Sequence, residues 1–149
     1  MTYGTREELK FDRKFPDYSA RFQANRKLYV CGGQTKLNGK DYILSDFFSF
    51  DYSGKSEELE PLSCRKSSLS LSGIVTELIA LGGYSNQNRL RTCDKYIIAI
   101  NKWERLPSLN KARGFPGSLL LKSRKAFCFG GYSGKDYLNE IESLQTESE

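Results

Sequence analysis

The residue types available for chemistry exclude several kinds of catalytic site. The chain of 149 residues contains no histidine, which removes Ser–His and Cys–His nucleophile pairs and the commonest ligand of zinc and copper. Asp41, Asp46 and Asp94 could act as general acids or bases, but they form no paired acid motif. We therefore predict no catalytic residue, no metal site and no cofactor.

The four cysteines are predicted to be free thiols. Cys31 and Cys128 occupy apolar positions beside glycine pairs, and Cys64 and Cys93 show no C-x-x-C spacing. Thiols that pack as small hydrophobic side chains explain this placement better than disulfides do. The N-terminal residues lack the apolar segment of a signal peptide, and no apolar run reaches the ~20 residues that span a bilayer. These features predict a cytoplasmic protein that does not enter a membrane.

The net charge of +5 is divided unevenly along the chain. Residues 136–149 contain five acidic residues and neither Lys nor Arg, a charge of −5, so that residues 1–135 carry +10. A basic surface attracts acidic partners, and nucleic acid is one of them. Because no Lys/Arg run exceeds two residues and no nucleic-acid motif is present, a basic nucleic-acid-binding surface is only an alternative interpretation.

Three similar segments organise the elements that must position these side chains. Residues 28–33, 78–83 and 126–131 are each an apolar run that ends in a glycine pair. The glycine pairs begin at positions 32, 82 and 130, so that the periods are 50 and 48 residues. The pattern predicts a strand before each apolar run, and a polar loop, an aromatic-rich strand and a short strand after it. Four strands in a period of about 50 residues are typical of one propeller blade.

The second of these units resembles the kelch repeat of β-propeller proteins. Its matching residues are Gly82, Gly83, Tyr84, Tyr96, Asn101, Trp103, Leu106, Pro107 and Arg113. The third unit repeats the glycine pair and the following tyrosine, whereas the first unit has Gln34 in place of the tyrosine and Leu59 in place of the tryptophan. The resemblance covers residues 7–144. It implies an all-β fold of kelch-type propeller blades, each a four-stranded antiparallel sheet.

The resemblance also implies how the chain is divided. We expect one kelch-repeat domain over residues 1–149, with about three blades in an incomplete or open ring. The expected ranges are 16–63 for blade 1, 66–108 for blade 2 and 112–145 for an incomplete blade 3. A further segment, residues 5–12, is predicted to be the outer strand of an adjoining blade, because Leu9 precedes Gly32 by the same 23 residues that separate Leu59 from Gly82.

Three blades are fewer than the 4–8 that usually close a propeller, and two explanations stay open. The chain is either a fragment of a larger propeller or one half of a homodimer that completes a six-bladed ring. In the second case each N-terminal strand would complete the last blade of the other chain.

The function that the resemblance implies is a non-enzymatic scaffold or protein-interaction module, whose loops after the glycine pairs hold a protein partner. An acidic partner is one candidate. Those loops are residues 34–41, 84–91 and 132–136, and Arg65 and Arg113 begin the inner strands, where they could pair with acidic groups. The predicted partner-binding residues are Arg65, Arg113, Tyr84, Asn86, Asn88, Arg89, Arg91, Tyr132 and Lys135. A fragment of a kelch-like propeller enzyme is the alternative.

Overall fold

The computed structural model describes residues 4–147 and contains strands and one short 3-10 turn, Ile98–Ile100, in that part of the chain. The strands are Ala20–Ala24 (β1), Lys27–Cys31 (β2), Gln34–Leu37 (β3), Lys40–Ile43 (β4), Phe47–Phe50 (β5), Ser56–Glu58 (β6), Ser70–Gly73 (β7), Glu77–Leu81 (β8), Tyr84–Ser85 (β9), Asn88–Arg89 (β10), Cys93–Ile97 (β11), Lys102–Leu106 (β12), Gly117–Leu120 (β13), Lys125–Phe129 (β14) and Ile141–Gln145 (β15).

The strands form three main antiparallel sheets. Sheet 1 has the order β1-β2-β5-β6, sheet 2 the order β7-β8-β11-β12, and sheet 3 contains only β13-β14-β15. Two small hairpins, β3–β4 and β9–β10, extend beyond the glycine pairs of sheets 1 and 2. The predicted all-β fold of partial kelch blades without a closed ring is confirmed.

The apolar strands explain how the sheets stack. In β8, Leu78 and Ala80 pack with residues of sheet 1, whereas Ile79 and Leu81 pack with residues of sheet 3. A strand that is covered on both faces must be apolar at every position, which is why these runs do not alternate with polar residues. The inner strands β1, β7 and β13 lie side by side, with β7 in contact with both others.

Aromatic side chains fill the space between sheets 1 and 2. The ring of Phe47 lies 4.6 Å from the ring of Tyr96 and 5.0 Å from that of Trp103. The Nε1–H group of Trp103 donates to the carbonyl oxygen of Glu60 at 2.8 Å, which satisfies its polar atom at the rim of the core. The tryptophan is therefore a wedge between adjacent sheets.

Residues 5–12, predicted as the outer strand of an adjoining blade, form no strand in the single chain. They lie against sheet 1, where the Phe11 ring contacts Phe15 and Phe50 and the Asp12 N–H donates to the Gly54 carbonyl at 3.2 Å. A strand requires an unpaired sheet edge beside it, and within residues 4–147 this segment pairs with none. The prediction about an adjoining blade stays a prediction.

The state of the cysteines and the search for membrane-spanning helices bear on the class of protein. All four cysteines are free, with Cys64 half-buried and the other three buried. Within residues 4–147, no helix is long and apolar enough to cross a membrane.

Candidate functional site

The antiparallel topology gathers the predicted binding loops at one end of the three sheets. Strand β1 begins where β2 ends, because Ala20 pairs with Cys31, and the same arrangement holds in sheets 2 and 3. The glycine pairs and the two small hairpins therefore lie at this end, which we call the mouth. The turns between the first two strands of each sheet lie at the opposite end.

The glycine pairs are the points at which consecutive sheets meet. Gly82 and Gly83 have φ angles of +63° and +117°, which L side chains rarely adopt. The N–H of Gly83 donates to the carbonyl of Arg113 at 2.9 Å, and a Cβ atom on Gly82 would lie well inside contact distance of that oxygen. The N–H of Gly82 donates to the carbonyl of Thr92, directly before β11 of the same sheet, at 2.9 Å. Both N–H groups are thus occupied within the protein, so that the pair has a structural role and is not a phosphate-binding site.

A second repeated feature runs around the mouth. Tyr18, Ser68 and Phe115 have φ angles of +54°, +55° and +53°. The Ser68 N–H donates to the Tyr18 carbonyl at 2.9 Å, and the Phe115 N–H donates to the Ser68 carbonyl at 2.7 Å. Backbone hydrogen bonds therefore link the three sheets in order, and the side chains of Tyr18 and Phe115 are left more than half exposed.

An inner cleft of about 220 Å³ opens beside these residues. Its lining residues are Tyr18, Gln34, Ser67, Ser68, Tyr84, Arg89 and Phe115. The guanidinium carbon of Arg89 lies 4.7 Å from the centre of the Tyr84 ring and 5.1 Å from that of Tyr132, so that two aromatic faces hold the cation. Its buried Nε atom has no acceptor among the described residues.

An outer cleft of about 440 Å³ lies between the hairpins of sheets 1 and 2. Its lining residues are Gln34, Asp41, Tyr42, Ile43, Arg65, Tyr84, Ser85, Asn86 and Gln87. The Arg65 side chain is exposed here and makes no ion pair or side-chain hydrogen bond within residues 4–147. Amide, hydroxyl and guanidinium groups therefore converge in the cleft, and Asp41 is its one acidic side chain.

Arg113, predicted to contact a partner, is instead a fully buried structural residue. Its guanidinium pairs with Glu142 at 2.6 Å and donates to the carbonyls of Gly130 and Glu140. Burial by itself would raise the pKa of Glu142. The N–H groups of Asn110 and Lys111 and the guanidinium outweigh that effect and lower the pKa below its ordinary value. Arg113 is therefore not available to a partner, which corrects the prediction.

The residue equivalent to Arg113 in sheet 2 is Lys66 rather than Arg65. The Lys66 carbonyl accepts a hydrogen bond from the N–H of Gly33, just as the Arg113 carbonyl accepts one from the N–H of Gly83. Both side chains are fully buried. The Nζ atom of Lys66 lies 2.7 Å from Asp94, whose other oxygen pairs with Arg105. The buried ion pair therefore occurs twice, as Lys66 with Asp94 and as Arg113 with Glu142. The two partners are 28 residues apart in the first pair and 29 in the second. This similar spacing is a signal in the sequence by which the pairs could have been predicted.

The other predicted residues are distributed as follows. Arg65, Tyr84 and Asn86 come together in the outer cleft, and Tyr84 and Arg89 in the inner one. Asn88 donates to the Asn86 carbonyl, Arg91 to the Leu109 carbonyl and Tyr132 to the Gly134 carbonyl. Lys135 is exposed in the loop between β14 and β15 and lines neither cleft.

Several lining residues were missed by the sequence reasoning. Tyr18, Ser68 and Phe115 share no residue type, because the backbone conformation is what repeats at these positions. Gln34 was included only as part of the polar loop 34–41, and Tyr42 follows that loop directly. Ser68 and Phe115 lie two residues after Lys66 and Arg113, whose carbonyls accept the glycine N–H groups, but a search for such positions requires the register of the strands.

A further cavity of about 210 Å³ lies between sheets 2 and 3, where Cys93 and Cys128 are among its lining residues. Burial raises the pKa of the Cys93 thiol to about 12 and that of the Cys128 thiol to about 11, so that neither is a thiolate near neutral pH. Within residues 4–147, no three His, Cys, Asp or Glu side chains form a group that could hold a metal ion.

Comparison with known proteins agrees with this architecture. The family model of the Kelch motif matches residues 76–110, which span β8, β11, β12 and the hairpin at the mouth. Kelch-like protein 33 of Homo sapiens is 30% identical over 117 residues, which are 78% of this chain and 22% of that protein. The chain thus spans about a fifth of the length of that relative. With the glycine pairs, the stacked four-stranded sheets and the aromatic wedge, these matches show that the chain belongs to the kelch-repeat family.

Proposed function

We propose that this chain is a non-enzymatic protein-interaction module that binds an acidic segment of a partner at the mouth. Membership in the kelch-repeat family supports protein interaction in general terms. The composition of the two clefts supports the acidic character of the partner, because both contain a guanidinium group.

The observation that carries the proposal is the state of Arg65. Of the charged residues that begin sheets 2 and 3, Lys66 and Arg113 are buried in internal ion pairs. Arg65 alone is exposed in a cleft with its guanidinium uncommitted among the described residues. A guanidinium presents a fork of N–H donors that matches a carboxylate bidentately.

The surroundings of Arg65 fit an extended peptide better than a small molecule. The outer cleft is open along its length between two hairpins, and it shares Gln34 and Tyr84 with the inner cleft. A partner segment could therefore place one acidic side chain on Arg65 and a second group near Arg89. The amide groups of Asn86 and Gln87 are placed to pair with its backbone.

The test is affinity capture from a cell extract, comparing the wild-type chain with an Arg65→Ala variant. Lys122→Ala is the matched control, since Lys122 is an exposed cation in the turn after β13, at the end opposite the mouth. We expect specific proteins to be lost with Arg65→Ala and retained with Lys122→Ala. A synthetic peptide from a recovered partner should then lose about 10- to 100-fold in affinity, since a hydrogen bond to a charged group contributes ~1.5–3 kcal/mol.

Identical sets of captured proteins for the wild type and Arg65→Ala would refute the assignment. Equal losses with Arg65→Ala and Lys122→Ala would show that only overall positive charge matters. In that case a nucleic-acid-like polyanion would be the better partner, with a steep dependence on salt.

The location and organisation of the module are part of the same proposal. The four free cysteines support a reducing compartment such as the cytoplasm. The division into blades at residues 16–63, 66–108 and 112–145 is supported by sheets 1, 2 and 3, each of which falls within one of these ranges.

A further inference from the structure

The inner cleft of the mouth has a lining that suits an anion. Its polar groups are the hydroxyls of two serines and two tyrosines, the amide of Gln34 and the guanidinium of Arg89, and each of them can donate a hydrogen bond. No acidic side chain lines this cleft among the described residues, whereas Asp41 lines the outer one. The inner cleft is therefore the place at the mouth where a multiply charged anion meets donors without a carboxylate beside them.

Two of the donors are serine hydroxyls that the protein leaves unpaired. Ser67 and Ser68 are 1% and 7% exposed, and their N–H groups donate to the carbonyls of Tyr84 and Tyr18 at 3.0 and 2.9 Å. Neither hydroxyl has a hydrogen-bond partner within residues 4–147, and both residues line the cleft. Polar side chains this deeply buried are normally paired, so that the cleft is where a ligand would supply the missing partners.

The guanidinium of Arg89 is already held in position. It lies between the rings of Tyr84 and Tyr132, and its Cδ and Nε atoms pack over Gly114, where an added Cβ would lie 3.3 Å from each. It makes no ion pair within residues 4–147, and its buried Nε atom has no acceptor there. A charge withdrawn from water is costly unless it is paired, and an anion at the terminal N–H groups of Arg89 would offset that cost.

The donors reach the cleft from three directions. Gln34 begins β3 of the first hairpin, Ser67 and Ser68 precede β7 of sheet 2, and Arg89 ends β10 of the second hairpin. A carboxylate is planar and has two acceptor oxygens. A phosphate monoester has three strong acceptor oxygens around a tetrahedral centre and a charge of about −1.5 to −2. Donors on several sides of one cleft match the tetrahedral group better.

We propose that the inner cleft binds a phosphorylated serine or threonine of the protein partner and that Arg89 makes the charged contact with the phosphate. This inference rests on the proposed function, in which the same segment places an acidic side chain on Arg65. The two clefts share Gln34 and Tyr84, so that one segment can occupy both. Phosphorylation of the partner then strengthens its binding, which makes the mouth a reader of that modification.

The aromatic rim of the cleft favours a peptide as the source of the phosphate. The rings of Tyr18 and Phe115 meet edge to face at 6.1 Å and line the cleft while they stay 57% and 59% exposed. A free phosphate ion leaves this apolar surface uncovered, whereas a peptide covers it with the side chain next to the phosphorylated residue. Nucleic acid fits less well, because its affinity comes from several phosphate contacts and Arg89 is the one cation in this cleft among the described residues.

The first experiment follows the amide signals of the isotope-labelled chain by NMR during titration with three probes: N-acetyl-O-phosphoserine amide, N-acetylserine amide and inorganic phosphate. We expect the phosphoserine compound to shift the signals of Ser67 and Ser68, and N-acetylserine amide to leave them in place. No shift at these residues with the phosphoserine compound would refute the phosphate site. Inorganic phosphate that binds as tightly as the phosphoserine compound would refute a partner side chain as its source.

The second experiment uses a degenerate peptide library with a fixed central phosphoserine, and matched libraries with serine or glutamate at the centre. The immobilised wild-type chain should retain the phosphoserine library about 10- to 100-fold more strongly than the serine library, as expected for hydrogen bonds to a charged group. Equal retention of the glutamate library would overturn the inference, because any carboxylate would then suffice. Displacement of the peptides by an equal concentration of a random-sequence oligonucleotide would also overturn it and assign the cleft to nucleic acid.

Variants of the lining locate the effect. Arg89→Gln should abolish the preference for phosphoserine, and Arg89→Lys should restore only part of it, because lysine keeps the charge without the fork of donors. Ser67→Ala and Ser68→Ala each remove one hydroxyl and keep the backbone hydrogen bonds, so that they test the cleft even where an Arg89 variant unfolds. Lys122→Ala, at the opposite end from the mouth, is the control and should keep the preference. A preference that survives in all four lining variants would exclude the inner cleft as the site.

Arg65→Ala separates this inference from the proposed function. Loss of captured proteins with Arg65→Ala, combined with no preference for phosphoserine, would overturn the phosphate site and leave the proposed function standing. Unchanged capture with Arg65→Ala, combined with a preference that depends on Arg89, would refute the assignment of Arg65 and support the phosphate site.

Discussion

Replacing Gly82 with alanine tests whether the glycine pair is a contact between sheets. At this position the φ of +63° is unfavourable for alanine, and the added Cβ would collide with the Arg113 carbonyl of the next sheet. Gly39 is a matched control, because it has a φ of +78° but no atom within 4 Å of an added Cβ. The two substitutions share the backbone strain and differ only in the collision.

The expected costs follow from these environments. Alanine in the left-handed region costs ~1–2 kcal/mol, which is the whole effect at Gly39. At Gly82 the displaced carbonyl also loses its hydrogen bond from Gly83, which contributes ~1 kcal/mol, and forced repacking costs a further ~1–3 kcal/mol. The free energy of unfolding should therefore fall by about 3–6 kcal/mol for Gly82→Ala and by about 1–2 kcal/mol for Gly39→Ala.

Thermal and urea unfolding of the wild type and both variants measure the difference. A loss of 1 kcal/mol lowers Tm by about 2–4 °C in a protein of this size, so that Gly82→Ala should unfold about 10 °C below the wild type. The Gly39→Ala variant should fall by only a few degrees. Equal shifts would refute the reasoning, because they would mean that the pair is kept only for its backbone conformation.

The remaining predictions concern the buried charges and the thiols. Asp94→Asn should lower the free energy of unfolding by about 3–5 kcal/mol because it leaves the buried Lys66 without its charged partner. Lys66→Met should cost less, since Asp94 keeps its pair with Arg105. Urea unfolding ranks the two variants, and the reverse order would contradict the geometry. Burial raises the pKa of the Cys31, Cys93 and Cys128 thiols to about 12, 12 and 11. Alkylation of the native chain at pH 8 should therefore modify Cys64 only, as read by mass spectrometry, and modification of all four thiols would show that the sheets separate readily. The lowered pKa of Glu142 means that its contribution to stability is complete above its unfolded pKa and is lost as pH falls through the folded one. Unfolding measured from pH 7 to pH 3 should accordingly show a weaker acid dependence for Glu142→Gln than for the wild type.

The sequence predicted the central strands correctly because their burial is nearly complete. A strand such as Leu78 to Leu81 is apolar on both faces, so that it is stable only where a sheet covers each face. The glycine pair marks the end of the strand. Where a residue has a single environment in which it can be stable, its type identifies that environment.

The hairpins at the mouth show where a local signal was present but not used. Residues 34–41 were predicted as a polar loop, although they contain Asn38-Gly39. In the structure Asn38 and Gly39 have φ angles of +48° and +78° and join β3 to β4, as expected for the commonest tight hairpin turn. No residue of β3 or β4 is fully buried, so that their sequence carries no alternating pattern of apolar residues.

The assignment of Arg113 failed for a reason of register. The sequence offers two adjacent cations, Arg65 and Lys66, as counterparts of Arg113, and adjacent residues in extended chain point to opposite sides. A shift of one residue exchanges the buried and the exposed side chain. In the structure the choice is fixed by the hydrogen bond from Gly33 to the Lys66 carbonyl, and in the sequence only the similar spacing of the two buried ion pairs points to it.

This register also separates the roles of the two cations. Lys66 balances the buried charge of Asp94 and is needed for the sheets to pack, whereas Arg65 faces the outer cleft and contacts no charged group among the described residues. Loss of Lys66 should therefore reduce stability and binding together, because the cleft depends on the packing of the sheets. Loss of Arg65 should reduce binding while stability is retained, and that difference is what identifies a residue kept for a partner rather than for the fold.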